Sequence, residues 1–264
     1  MVQGDVTADL TTNNSHPCAV FDGVDDKLTC SVATAFDYST NRDFSLAFWF
    51  KGNLDLAAAD NRLLAKTKIS TGLGWFMDIN ANILRFFTKN GTTYSITADA
   101  AFVYFKKWTH IALTVDRDVG CKLYINGVEI AATESNVANL ATDDLSSGLG
   151  LHVGQLDNQG VNWLNGGVAD LQIFSDKILS ATEVSNIYNN IQVTDKLESA
   201  YDFVGGSYAD RIGSNDLTNA GTYTTILDSD IAQALDDARV TTNDVYLCWD
   251  GLLGKVGTVH IEEA

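Results

Sequence analysis

The chain has 264 residues, a net charge of −17 at neutral pH, 45% hydrophobic residues and a single proline. An apolar share of this size suits a globular chain with a real core, whereas so negative a surface is repelled by phosphate backbones, which excludes nucleic acid and anionic membranes as expected partners. No run approaches membrane-span length, and the start "MVQGDVTADLTTNNS" has neither a basic nor an apolar segment, so no signal peptide and no membrane insertion are expected.

With only Pro17 available, turns fall to glycine, asparagine and aspartate, which reach positive φ at low cost. Residues 1–17 read as a polar N-terminal arm. Alternating apolar and polar positions then predict strands in "FSLAFWF" (Phe44–Phe50), "GWFMDI" (Gly74–Ile79), "ILRFF" (Ile83–Phe87) and "WTHIALTV" (Trp108–Val115). In "CKLYINGVEIA", Asn126-Gly127 supplies the two positive φ values of a type I′ hairpin turn. "GLGLHVGQ" (Gly148–Gln155) is a strand with turn glycines, since no helix follows it. In "GGVADLQIF" (Gly166–Phe174), a period of two places Gly167, Ala169, Leu171 and Ile173 toward the core. Val168, Asp170, Gln172 and Phe174 then face the convex outside, away from any cleft. "SATEVSNIYNN" predicts a helix opened by a capping box of Ser180 and Glu183, packed at the sandwich edge.

From about Val193 the texture turns polar and glycine-rich. A short helix is expected over Asp228–Arg239, and closing strands in "DVYLCWDG" and "VGTVHIEEA". The expected organisation is an all-β, two-sheet antiparallel jelly-roll sandwich over 18–192, with a short helix after its last strand and a small C-terminal docking module over 193–264.

Four runs, "AVFDGVDDKLTC", "FSLAFWFK", "KKWTHIALTVDR…CKLYINGVEIA" and "WLNGGVADLQIFSDKILSATEVSNIYN", occur in an order that resembles the laminin G-like branch of the concanavalin A-like lectin/glucanase superfamily. The resemblance covers roughly residues 18 to 190 and implies a concave sheet, with which some relatives bind glycans. The family's opening strand and "D-x-x-G-x-N" turn are missing before "AVFDG". A similar run appears instead in "LESAYDFVGGSYADRIGSNDLTNAGT" (Leu197–Thr222). That tail either pairs back as the missing edge strand, in this chain or a neighbour, or begins a degenerate second copy.

Catalytic residues are not expected. Retaining glycoside hydrolysis needs two carboxyl groups about 5–5.5 Å apart, and none of the six glutamates falls into the Glu-x-Asp-x-x-Glu pattern of the superfamily's glucanases. Asp78 and Asp116 have no partner carboxylate two or four residues away. The four histidines lack nucleophile contexts. Relatives often use an aspartate at the position of Asp170 as a structural calcium ligand. Calcium takes roughly six to eight oxygens, and the Asp22–Asp26 turn offers Asp22, Asp25 and main-chain carbonyls. Asp170 therefore either helps hold such an ion with that turn or simply meets water. Exposed rings stack on sugars, and Trp75 and Trp163, at loop–strand junctions, are the candidate ligand contacts.

Two functions of different class follow. One is a non-enzymatic structural or decoration protein of a virus particle (phage head or tail), made in the host cytoplasm and associated with other virion proteins and copies of itself, with a possible surface glycan. The other is a secreted or cell-surface carbohydrate-binding module.

Overall fold

The computed structural model describes residues 17–32, 34–39, 42–52, 61–68, 72–90, 93–101, 107–155, 162–204 and 207–219, together with the backbone of 225–227, 244–247 and 257–260. In chain order β1 (Cys18–Asp22) and β2 (Leu28–Cys30) precede β3 (Phe44–Gly52), β4 (Asn61–Lys68), β5 (Leu73–Asn80) and β6 (Ile83–Asn90). Next come β7 (Tyr94–Ala98), β8 (Thr109–Asp116), β9 (Gly120–Ile125), β10 (Val128–Glu129), β11 (Ala132–Ser135) and helix α1 (Val137–Thr142). β12 (His152–Val153), β13 (Asn165–Ser175), helix α2 (Ala181–Tyr188), β14 (Leu197–Tyr201), β15 (Leu217–Asn219) and β16 (Thr225–Leu227) complete the sandwich. β17 (Asp244–Leu247) and β18 (Gly257–His260) pair with each other and, among the described residues, with no other strand.

One sheet runs β10-β9-β8-β3-β13-β1-β16, with β14 also on β13; the other runs β11-β7-β6-β5-β4-β12-β2-β15. All the pairings are antiparallel, so the expected two-sheet jelly roll is what the chain builds. Its core lies between the sheets. Phe44, Leu46, Phe48 and Phe50 of β3 meet Trp75, Met77 and Ile79 of β5 and Phe86 of β6, all fully buried, and each such side chain contributes about 1.5–3 kcal/mol by leaving water.

The first sheet is covered on its second face as well. Val184 and Ile187 of α2 pack with Ala47, Ala112, Tyr124 and Phe174 from four strands, so every residue of β3 is buried. The helix thus lies on the face of the sheet rather than at its edge. Its predicted start holds: the Ser180 side chain accepts the Glu183 N–H, and Glu183 accepts the Ser180 N–H in return. The Asn126-Gly127 turn also has its expected geometry, with φ of 48° and 79°. The six-residue helix α1 left no sequence signal: Asn136 caps it in a left-handed conformation without a side-chain bond.

The expectation of a separate module over 193–264 does not hold for the described residues of 193–219 and strand β16. β14 pairs with β13, β15 with β2 and β16 with β1, while Tyr201, Phe203 and Leu217 enter the main core. The tail is the missing edge strand, supplied by the same chain. The physical cause is apolar: Tyr201, Phe203 and Leu217 leave water by entering the main core. The helix expected over 228–239 and Trp249 lie outside the described residues; β17 and β18 coincide with the two closing strands.

Candidate functional site: a cavity at the β13 bulge

β13 lies inside its sheet, between β3 on one side and β1 and β14 on the other, and its ladder with β3 is broken once. Against β3, Ala169 pairs with Trp49 and the next pair is Gln172 with Ala47. Two residues, Asp170 and Leu171, therefore oppose Phe48 alone, which makes a β-bulge with Asp170 as the extra residue. Its φ is +45°, a left-handed conformation that aspartate adopts more readily than most side chains. On the opposite edge β1 pairs with Asn165–Ala169 and β14 with Leu171–Phe174. These two strands lie end to end along β13, and Asp170 falls at their junction. None of the three registers includes Asp170, and against β3 the pairing also passes over Leu171.

The bulge corrects the expected faces of the strand. Val168, Leu171 and Ile173 point into the main core. Ala169 joins Trp49 and Cys18 on the other face, and Phe174 packs under α2. An inserted residue shifts the two-residue period by one, so the alternation read through Asp170 fails on its N-terminal side. Nor does Asp170 stand on an open convex surface. It is half-buried in the wall of a cavity of about 170 Å³, lined also by Trp49, His110, Gln172, Ile187 and the segment Asn190–Gln192.

Each wall has a local cause. Cross-strand neighbours put His110, Trp49 and Ala169 in one row, and Ala112, Ala47, Gln172 and Ala200 in the next. Alanines on both sides of Gln172 leave the space that larger side chains would fill. Trp49, His110 and Tyr188 form an aromatic cluster, with ring centroids 5.4 Å apart for Trp49–His110, 5.6 Å for Trp49–Tyr188 and 5.9 Å for His110–Tyr188. The hairpin turn anchors it, because Asn126 Oδ1 accepts the His110 backbone N–H at 2.9 Å. Ile191, 54% exposed, stands at the rim. Asp170 is the one carboxylate among the lining residues, and none of them is Lys or Arg.

The remaining expected site residues fall elsewhere. Trp75 is completely buried, against Tyr38, Phe44 and Phe86. The alternation of β5 turns it inward with Met77 and Ile79, so it is a core residue and no ligand contact. Trp163 is half-buried and is not among the cavity's lining residues. Asp22 and Asp25 do converge, but with Asp26: one ligand oxygen from each lies within 4.8 Å of the others. Val24 N–H donates to Asp22 Oδ1 at 2.7 Å and Asp22 N–H to Asp26 Oδ2 at 3.0 Å, which closes the turn. Asp170 does not join them. Asp22 is opposite Asn165, and five residues of strand separate that point from Asp170, about 17 Å at the usual rise.

Of the aspartates tested for chemistry, Asp78 is fully buried between Arg62 and Arg85, with Arg85 Nε 2.8 Å from its Oδ1. Asp116 accepts the N–H groups of Asp118 and Val119 in a turn. Trp49, His110, Gln172 and residues 190–192 were not foreseen as site residues. The one usable signal was an aspartate set inside an apolar strand.

Two antiparallel sheets packed face to face in this strand order define a lectin-like β-sandwich. The chain belongs to the concanavalin A-like lectin/glucanases superfamily, whose Laminin_G_3 model matches residues 22–185. Among solved structures, it is similar to a candidate carbohydrate-binding protein from Bacteroides ovatus, at 15% identity and a TM-score of 0.60, covering 82% of this chain and 60% of that one. It is also similar to the heptameric SAP-like pentraxin of Limulus polyphemus, at 14% identity and a TM-score of 0.50, covering 79% and 97%. These likenesses concern the fold. No curated protein matches the sequence.

Proposed function

We propose that this chain is a non-catalytic carbohydrate-binding domain, and that the Asp170 cavity is where a glycan is recognised. The observation that carries this reading is the cavity itself: a small hollow with aromatic and aliphatic walls and a few convergent polar groups, the lining chemistry of a small-ligand site although below the usual size of one. The absence of a catalytic role is supported by the fate of the strand aspartates, since Asp78 is neutralised by two arginines and Asp116 is engaged by its own turn. Binding of the intact protein to an array of immobilised glycans tests the proposal. At least one saturable glycan signal is expected, and a blank array would overturn it.

Two parts of the reading concern the setting. The Asp22, Asp25 and Asp26 carboxylates would hold a structural calcium ion. Hard oxygen donors suit it, and three carboxylates supply part of the roughly six to eight oxygens it takes. Such an ion would tie β1 to the start of β2. Calcium should then raise the melting temperature and a chelator lower it; identical melting in both would remove the ion from the picture. The second part is residence on a virus particle, in contact with other virion proteins and copies of this chain. Its support is the sequence resemblance, a laminin G-like sandwich whose last part is the short glycine-rich run 197–222. Co-purification with assembled particles is the expected result, and recovery only as free protein would count against it.

A further inference from the structure

The geometry points to one neutral pyranose ring as the occupant of the Asp170 cavity, with hydroxyl groups bonded to the Asp170 carboxylate and the Gln172 amide; this rests on the carbohydrate-binding reading above and narrows it.

Size is the first argument. Cavities of roughly 150 Å³ accept a single six-membered ring such as benzene, and this one measures about 170 Å³. A hexopyranose has about twice as many heavy atoms as benzene, so one ring fills this space with its outer hydroxyls left at the rim by Ile191, and a longer glycan would have to enter by its terminal unit. Chemistry is the second. A pyranose has apolar C–H faces and hydroxyl edges. The cavity offers Trp49, Ile187 and Ile191 to the former, and Asp170, Gln172, Asn190 and Gln192 to the latter. A carboxylate accepts hydrogen bonds only, whereas an amide both donates and accepts, so Asp170 and Gln172 together match neighbouring hydroxyls. Charge is the third. With Asp170 in the wall, no Lys or Arg among the lining residues and a chain at −17, an anionic sugar is repelled.

The position of Asp170 supports a built site. A non-glycine residue at φ +45° costs free energy and persists where its surroundings over-determine it. Here the bulge sets that residue in the cavity wall, in the middle of an eleven-residue strand. Gln172 is held in register on both sides, by Ala47 and Ala200. The backbone positions that carry the two polar groups are therefore fixed relative to each other, which limits the main-chain ordering entropy lost on binding.

The test titrates the full chain with a panel of neutral methyl pyranosides (glucose, galactose, mannose and N-acetylglucosamine forms), and with sialic acid and glucuronic acid. Saturation-transfer NMR is the readout, beside the glycan array. Asp170→Asn and Gln172→Ala are run in parallel; asparagine tolerates the left-handed backbone, so the first keeps the fold, as a matching melting curve would show. One or more neutral pyranosides should bind. Asp170→Asn should weaken binding by about tenfold, the effect of losing a charged hydrogen bond, and both acidic sugars should stay unbound. Equal binding by folded Asp170→Asn and Gln172→Ala would overturn the inference while leaving carbohydrate binding in place. So would binding of acidic sugars alone. A blank array would instead sink the parent reading. If immobilised glycans bind and free pyranosides do not, a single ring is insufficient and the inference also falls.

Discussion

Gly127 lies beneath Tyr188: a methyl group at position 127 would stand 3.1 Å from Tyr188 Cδ1. The hairpin turn of one sheet edge is thus in contact with the last residue of α2, whose ring also packs on Trp49 and His110. Turn, helix end and cavity wall are one packed unit.

Gly127→Ala should therefore destabilise the fold and loosen the cavity together. A φ of +79° costs a β-carbon roughly 1–2 kcal/mol, and displacement of Tyr188 adds to it. A lowered urea midpoint with altered Trp49 fluorescence is expected; an unchanged midpoint would show that the helix end is free to move.

Asp78→Ala should be among the most damaging aspartate substitutions. Arg85 donates to Asp78 from Nε at 2.8 Å and Nη2 at 2.9 Å, and Arg62 pairs with the same carboxylate. Removing one member of a buried ionic group leaves charge uncompensated and costs about 3–5 kcal/mol. Chemical denaturation measures it, and a loss below about 1 kcal/mol, as for exposed pairs, would contradict the buried geometry.

Asp210 organises the returning tail. It accepts the Ser199 hydroxyl at 2.6 Å and the backbone N–H groups of Ala200, Ile212 and Asn215. Burial alone would raise its pKa, but the Ser199 hydroxyl and the N–H groups of Gly213, Ile212 and Ala200 outweigh it and hold the carboxyl below its ordinary 3.8. The stabilisation is present above that value and is lost as pH falls through the lower folded one. Asp210→Ala should make the 197–219 run cleavable by protease at neutral pH ahead of the rest of the sandwich. Simultaneous digestion of both would argue that the tail and the sandwich unfold as one.

Glu198 behaves oppositely. Burial is the main influence pushing its carboxyl above the ordinary 4.5, and Ser175 donates its hydroxyl to it. The folded state then binds more protons than the unfolded chain above that value, so ionisation erodes stability as pH rises from 4.5 toward the raised folded pKa. Glu198→Gln carries no such titration. Its urea midpoint should gain on that of the unsubstituted protein as pH rises from 4.5 to neutrality, and parallel curves would refute the assignment.

Local chemistry made much of this molecule legible from residues alone. The sandwich strands follow from two-residue alternation, the 126–127 hairpin from its Asn-Gly pair, and α2 from the Ser180–Glu183 box, because each depends on neighbours a few positions away. The rest needed the assembled fold. The inward turn of Trp75 was written in the alternation of β5, but its position beside a glycine loop suggested exposure. That residues 197–219 complete their own sandwich depended on which long-range partner won, and apolar burial of Tyr201 and Phe203 decided it. The cavity was least visible of all. A bulge adds one residue with no change in composition, and only the three registers meeting at Asp170 reveal that the strand's period shifts there and puts an aspartate in one cavity wall with Trp49 and His110.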